Sequence, residues 1–208
     1  MFTDITGHAW WNPFSWSNIT KIIVGVAIIA VLGVATILTG GAAGGVAGFI
    51  LSGAFQGALA GALTGAVGGA LVGGIIGGIT TGSWEGAING AIDGAATGFM
   101  TGSVFGGIGG AVGRLTTLSK WDPGTFGSKY DSMMYHFESH GIQSGSNFWG
   151  NNMVNYTYDA FRFGQQNVAS ATWKTYLRPD KQPGWLINNS FGKGLYTDAW
   201  EIIYFLYK

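Results

Sequence analysis

Glycines recur at every fourth position from Gly53 through Gly57, Gly61, Gly65, Gly69, Gly73 and Gly77. The phase then slips by one residue and the series continues through Gly78, Gly82, Gly86, Gly90, Gly94, Gly98, Gly102, Gly106 and Gly110. On a helix a four-residue step keeps the glycines near one face, drifting by about 40° each time. Each one removes a side chain, so that a second helix can approach closely. In water each would cost about 1 kcal/mol relative to alanine. The repeat makes sense only where close helix packing offsets that loss, and its glycines are read as helix-packing residues.

The composition supports a packed segment. Of the 208 residues 38 are glycine, yet there is no Gly-X-Y period and only four prolines, which excludes collagen. Apolar residues fill the spaces between the glycines, which argues against a disordered linker. The repeat is too long for one helix. Breaks are expected near Thr39–Gly41 and Gly77–Gly82, with a third candidate at Gly106–Gly110, giving three or four helices folded into hairpins. Ile22–Leu38 would extend about 25 Å, and continuing it to Gly41 reaches the thickness of a bilayer core. Leu51–Ile79 is also long enough to span. Glu85, Asn89, Asp93 and Thr97 form a polar stripe beside the glycines, which suits an interface, a bundle interior or water. Two readings stay open: a glycine-packed bundle capped by other parts of a larger protein, or insertion into a membrane, which is preferred over Ile22–Ile79. Trp10, Trp11 and Trp16 ahead of Lys21 suit an interfacial belt. The late and long apolar run does not fit a cleaved signal peptide.

The charge map divides the chain. Between Lys21 and Arg114 the only charged residues are Glu85 and Asp93, whereas Arg114–Lys208 carries nine Lys/Arg and seven Asp/Glu. The absence of cysteine excludes disulfides, thiol catalysis and thiolate metal sites. Four regions follow: a Trp-rich lead over 1–21, the glycine segment over 22–113, a linker over 114–127 marked by the turn signal Trp121-Asp122-Pro123-Gly124, and a small domain over 128–208. In the last region Ser128 and Asp131 open a helix that runs to about His140, with Gly141 as its stop. A second helix fits Asn151–Gln166. Strands are predicted over Ala171–Leu177, Trp185–Asn188, Leu195–Thr197 and Glu201–Tyr207, with a turn over Arg178–Gly184. Two helices followed by three or four antiparallel strands make an α+β domain.

His136 and His140 lie one helical turn apart. A zinc hydrolase needs H-E-x-x-H, but here the run is His136-Phe137-Glu138-Ser139-His140, which turns Glu138 away and leaves no evident third ligand. No metal or cofactor is expected. Two readings remain, ordinary surface or capping histidines and acid–base chemistry near neutrality. For the second, Lys174, Arg178, Lys193, Thr197 and Tyr204 are the available supporting groups. Metal-free RNA cleavage needs such a set: a base for the 2′-hydroxyl, an acid for the leaving oxygen, and a cation or hydroxyl for the charged phosphorane.

Two places carry a resemblance to a known family. Phe2–His8 (Phe-Thr-Asp-Ile-Thr-Gly-His) resembles the end of an Rhs-repeat core just before its variable toxin tip, with Ile5 where that family has proline. A junction of this kind sits inside a longer protein, so an internal start at Met1 is one expectation. Tyr135-His136-Phe137…His140-Gly141, Tyr156-Thr157…Asp159-Ala160 and Gly194-Leu195-Tyr196-Thr197…Ile202-Ile203-Tyr204-Phe205 resemble polymorphic-toxin tips of the barnase/EndoU/colicin-type ribonuclease group. Ser139 stands where the family has lysine, and Ala199-Trp200 where it has a glycine. The resemblance implies catalytic roles for His136 and His140, with Thr197 and Tyr204 supporting. Among the supporting groups named above, the cations Lys174, Arg178 and Lys193 are expected to bind substrate.

The expected function is thus the toxin region of a secreted bacterial Rhs-type effector. A membrane-interacting segment would serve translocation, and the tip would cleave RNA in the target-cell cytoplasm. Its partners would be a membrane, RNA, a cognate immunity protein and the parent Rhs shell. The rival expectation is a membrane-perturbing or pore-forming protein in which the glycine segment is the active part.

Overall fold

The computed structural model describes residues 12–39, 41, 44–141, 152–174 and 183–207. The Rhs-like junction Phe2–His8, Trp10, Trp11 and Arg178 lie outside the described residues. The chain is α+β, with helices first and a four-stranded antiparallel sheet at its carboxy-terminal end. It divides into two compact units, Met1–Gly113 and Arg114–Lys208.

The first unit is helical. A 3-10 turn at Pro13–Ser15 precedes α1 (Asn18–Leu38), whose first turn is capped by the Ser17 hydroxyl accepting from the Thr20 amide at 3.2 Å. Next come α2 (Gly45–Thr81) and α3 (Trp84–Ser119). The breaks fall near Thr39–Gly41 and at Gly82, where φ is +63° and the amide bonds Gly78 O at 2.9 Å. Gly82 therefore caps α2 and is not a packing glycine, because a left-handed C-cap is a conformation that glycine adopts without a Cβ penalty. There is no break at Gly106–Gly110, and α3 runs through it.

The remaining repeat forms an antiparallel zipper. Gly53 meets Gly110, Gly57 meets Gly106, Gly61 meets Gly102, Gly65 meets Gly98, Gly69 meets Gly94, Gly73 meets Gly90 and Gly77 meets Gly86. A methyl group added to Gly65 would overlap the carbonyl oxygen of Gly98, and one added to Gly98 that of Gly65. The two backbones thus touch along the whole seam, at a distance where Cα–H···O contacts add to dispersion. Helix α1 uses its glycines differently: Gly25 is a notch for the Phe99 ring and Gly33 a notch for Phe55. Lys21 is buried, its Nζ donating to Asp93 Oδ1 at 2.8 Å and Thr97 Oγ1 at 2.9 Å. Half of the polar stripe on α3 therefore serves to hold the first turn of α1.

The interior of this unit is built mainly of Phe49, Ala54, Ala58, Ala62, Ala96 and Met100. Its large aliphatic side chains point outwards, with Ile37, Leu38 and Ile79 all more than three-quarters exposed. By length and composition α1 and α2 can each cross a membrane, and only 11 % and 6 % of their most apolar windows are buried. The apolar side chains of these windows are thus left largely uncovered within the unit.

The second unit contains α4 (Lys129–His136), a π-helical turn (Phe137–Gly141), α5 (Met153–Gln166) and four strands, β1 (Thr172–Lys174), β2 (Gly184–Asn188), β3 (Gly192–Tyr196) and β4 (Ile202–Tyr207). The strands form a meander in the order β1-β2-β3-β4. β3 begins earlier than expected, because Gly192 and Lys193 pair with Tyr207 and Leu206. β1 ends at Lys174, and the rest of the expected Ala171–Leu177 strand lies outside the described residues.

Helix α5 is fixed to one face of the sheet by buried hydroxyls. Tyr196 donates to Ala160 O at 2.7 Å, and Tyr156 donates to Phe205 O. Phe163 packs on Phe205 with centroids 5.1 Å apart. Within the stretch expected as a linker, Trp121 is fully buried and its indole donates to Thr157 Oγ1 at 2.8 Å. The neighbouring backbone bonds the start of β4, Asp122 N–H to Ile202 O at 2.9 Å and Ile202 N–H to Lys120 O at 2.6 Å. This short segment thus adds a core tryptophan to the sheet edge.

Candidate acid–base site

Local chemistry places the first histidine. The Ser128 hydroxyl accepts the Asp131 amide at 3.1 Å and donates to the Asp131 carboxylate at 2.7 Å, so α4 starts where the S-x-x-D pattern puts it. His136 is then its last residue. The following π-helical turn carries His140, and the two imidazoles stack with centroids 5.8 Å apart and planes 22° apart. Lys129 Nζ bonds Glu201 Oε1 at 2.6 Å, tying the start of α4 to the residue just ahead of β4.

Aromatic rings enclose His136. Trp121 stacks on it at 5.8 Å and 12°, Phe126 and Tyr135 meet it edge-on at 5.8 and 5.2 Å, and Tyr204 of β4 lies at 6.3 Å. Lys193 Nζ, on β3, sits 5.8 Å from the Tyr204 ring centroid. His140, His136, Tyr204 and Lys193 thus form a continuous array from the π-turn to the sheet. Burial, and secondarily the charge of His140, lowers the pKa of His136 to about 4. Burial also lowers that of His140, opposed by a backbone hydrogen bond at Ser139. At pH 7 His136 is therefore a neutral imidazole. Its Nδ1 is buried without a hydrogen-bond partner among the described residues.

The other sequence-predicted residues are placed elsewhere. Thr197 is buried, its hydroxyl accepting the Glu201 amide at 3.0 Å while its own amide bonds Glu201 O at 2.9 Å. That hydroxyl closes the turn between β3 and β4. Lys174 pairs with Gly184 on β1, the sheet edge opposite Tyr204 on β4. Trp121, Phe126 and Tyr135 were missed as site residues. Trp121 belongs to the turn signal Trp121-Asp122-Pro123-Gly124, and no local sequence pattern marks it as a site residue. Among the described residues no group of three or more His, Cys, Asp or Glu gathers closely enough to hold a metal ion.

In comparisons with known proteins, no family model, curated protein or solved structure matches the chain.

Proposed function

We propose that the chain is the toxin region of a secreted bacterial Rhs-type effector, whose tip cleaves RNA without a metal and whose glycine-zipper segment engages a membrane. The observation that carries the reading is the array His140–His136–Tyr204–Lys193 on the second unit. In this chemistry His140, the less buried imidazole, exchanges the proton: it takes one from the 2′-hydroxyl, whose oxygen attacks phosphorus. The bond to the 5′-oxygen breaks, and that oxygen leaves with the proton that His140 took up and hands back. A neutral His136 with its proton on Nε2 donates a hydrogen bond to the phosphoryl oxygens, and Lys193 and the Tyr204 hydroxyl offset the charge that builds there. Trp121 holds the His136 ring and keeps it uncharged.

The test is incubation of the full chain, in mild detergent, with total RNA and with tRNA. Wild type should cut at least one of these, and His136→Ala/His140→Ala should lose about 100-fold or more of the rate, the contribution usual for acid–base catalysis. Equal survival of the RNA with both proteins sinks the reading. A second reading, membrane perturbation by the zipper itself, is favoured by the outward-facing aliphatic residues of α1 and α2. It predicts that the double mutant still releases dye from liposomes and remains toxic.

A further inference from the structure

β3 and β4 are joined by Asp198-Ala199-Trp200, a three-residue turn closed by the paired backbones of Thr197 and Glu201. Trp200 has φ +61° and is the one non-glycine residue with positive φ among the described residues. The third position of such a turn is ordinarily left-handed and suits glycine, which pays no steric penalty there. A bulky side chain held in that region is a strained arrangement of the kind that marks functional surfaces.

The strain places one ring. The Trp200 indole lies parallel to Trp185, with centroids 6.0 Å apart and planes 7° apart, and meets Tyr196 at 5.7 Å. Trp173 meets Trp185 edge-on at 4.9 Å. Trp173 pairs with Trp185 across β1 and β2, and Trp185 with Tyr196 across β2 and β3, so these rings share one sheet face. The cluster is open to solvent: Trp173 is 42 % exposed, and neither Trp185 nor Trp200 belongs to the buried core.

We infer that Trp173, Trp185 and Trp200 form a stacking platform for unpaired bases of single-stranded RNA. The inference rests on the ribonuclease reading and adds a substrate-holding surface to it. Every base has a π face that an indole can cover, and such stacking is tolerant of sequence. The surplus of Lys/Arg over Asp/Glu in Arg114–Lys208, nine against seven, favours a polyanion over a neutral sugar.

Binding is measured by tryptophan fluorescence on the full chain carrying His136→Ala/His140→Ala, so that RNA is not consumed. The probes are short oligo(U) and oligo(A), an RNA duplex of the same length, and maltohexaose. Single strands should bind more tightly than the duplex, and maltohexaose should not bind. Trp173→Ala and Trp200→Gly, read by anisotropy of labelled RNA, should each weaken single-strand binding about fivefold or more. Trp200→Gly should leave the melting temperature unchanged or higher, because glycine accepts the positive φ. Smaller losses of affinity, or duplex or maltohexaose binding as well as the single strands, overturn the platform. If Trp200→Gly melts earlier, Trp173→Ala alone decides. Wild-type protein that binds RNA through these indoles but never cuts it sinks the ribonuclease reading and leaves the platform standing. Cleavage that is indifferent to both indoles does the reverse.

Discussion

The two units solve the packing problem by opposite means. In the first, helices α2 and α3 meet where side chains have been deleted, and the contact is backbone against backbone at every glycine pair. In the second, the interior is filled by large rings and their hydroxyls, with Trp121, Tyr156, Tyr196 and Phe205 buried and hydrogen-bonded or stacked. The difference shows where each unit is vulnerable. A zipper cannot tolerate an added atom on its seam, whereas an aromatic core is hurt by removing one. It also separates roles: the first unit leaves its apolar surface outside, and the second brings titratable groups together.

The largest expected effect is on the seam. Gly65→Val should separate α2 from α3 and destabilise the hairpin by more than about 3 kcal/mol, because the clash is with the backbone of Gly98 and not with a movable side chain. Gly68→Ala, three residues on and facing open space, should instead be neutral or stabilising by roughly 0.5–1 kcal/mol. Unfolding of both variants in detergent micelles, followed by circular dichroism, checks the pair. Similar behaviour of the two would break the contrast drawn above.

A smaller effect is expected at Lys21. Asp93→Leu leaves a buried ammonium without its carboxylate, costing roughly 2 kcal/mol, less than for a fully buried pair because Asp93 is itself largely exposed. Protease accessibility of α1 should rise in this variant, and an unchanged digestion pattern would count against a fastening role for the pair.

An effect of similar size concerns the aromatic unit. Unfolded His136 titrates near 6.5 and folded His136 at about 4, so below pH 6.5 the unfolded chain takes up the proton first. Its contribution to stability is full above pH 6.5 and falls as the pH drops towards 4. Thermal melts at pH 7.5 and 4.5 should show a drop that is smaller in His136→Phe; an equal drop in both would assign the acid sensitivity to other groups.

The zipper was legible because its signal is local and periodic. The phase slip at Gly77 and Gly78 already marked the end of one helix, and the turn at Gly82 follows it closely. The start of α4 was legible for a similar reason, since Ser128 and Asp131 bond each other. What was hidden depends on distant partners. Lys21 read as a flanking charge because its acceptors lie more than seventy residues away on α3. Trp121 read as the edge of a linker because its burial depends on Thr157, His136 and the start of β4. Thr197 was expected beside the histidines because a family pattern gives order along the chain, not the direction of a side chain. The Trp200 substitution was visible, but its meaning required the positive φ and the ring beneath it.

One property of the seam reaches further. A periodic interface has periodic minima: sliding α3 along α2 by a single repeat, about 6 Å, would re-mate all but one of the glycine pairs with the same contacts. The glycines therefore specify that the helices touch, but only weakly where along their length they do so. The register is fixed by the aperiodic features, the left-handed turn at Gly82 and the Lys21–Asp93 pair with the two phenylalanine notches of α1. The hairpin is a ruler with identical marks, and those few residues are its zero.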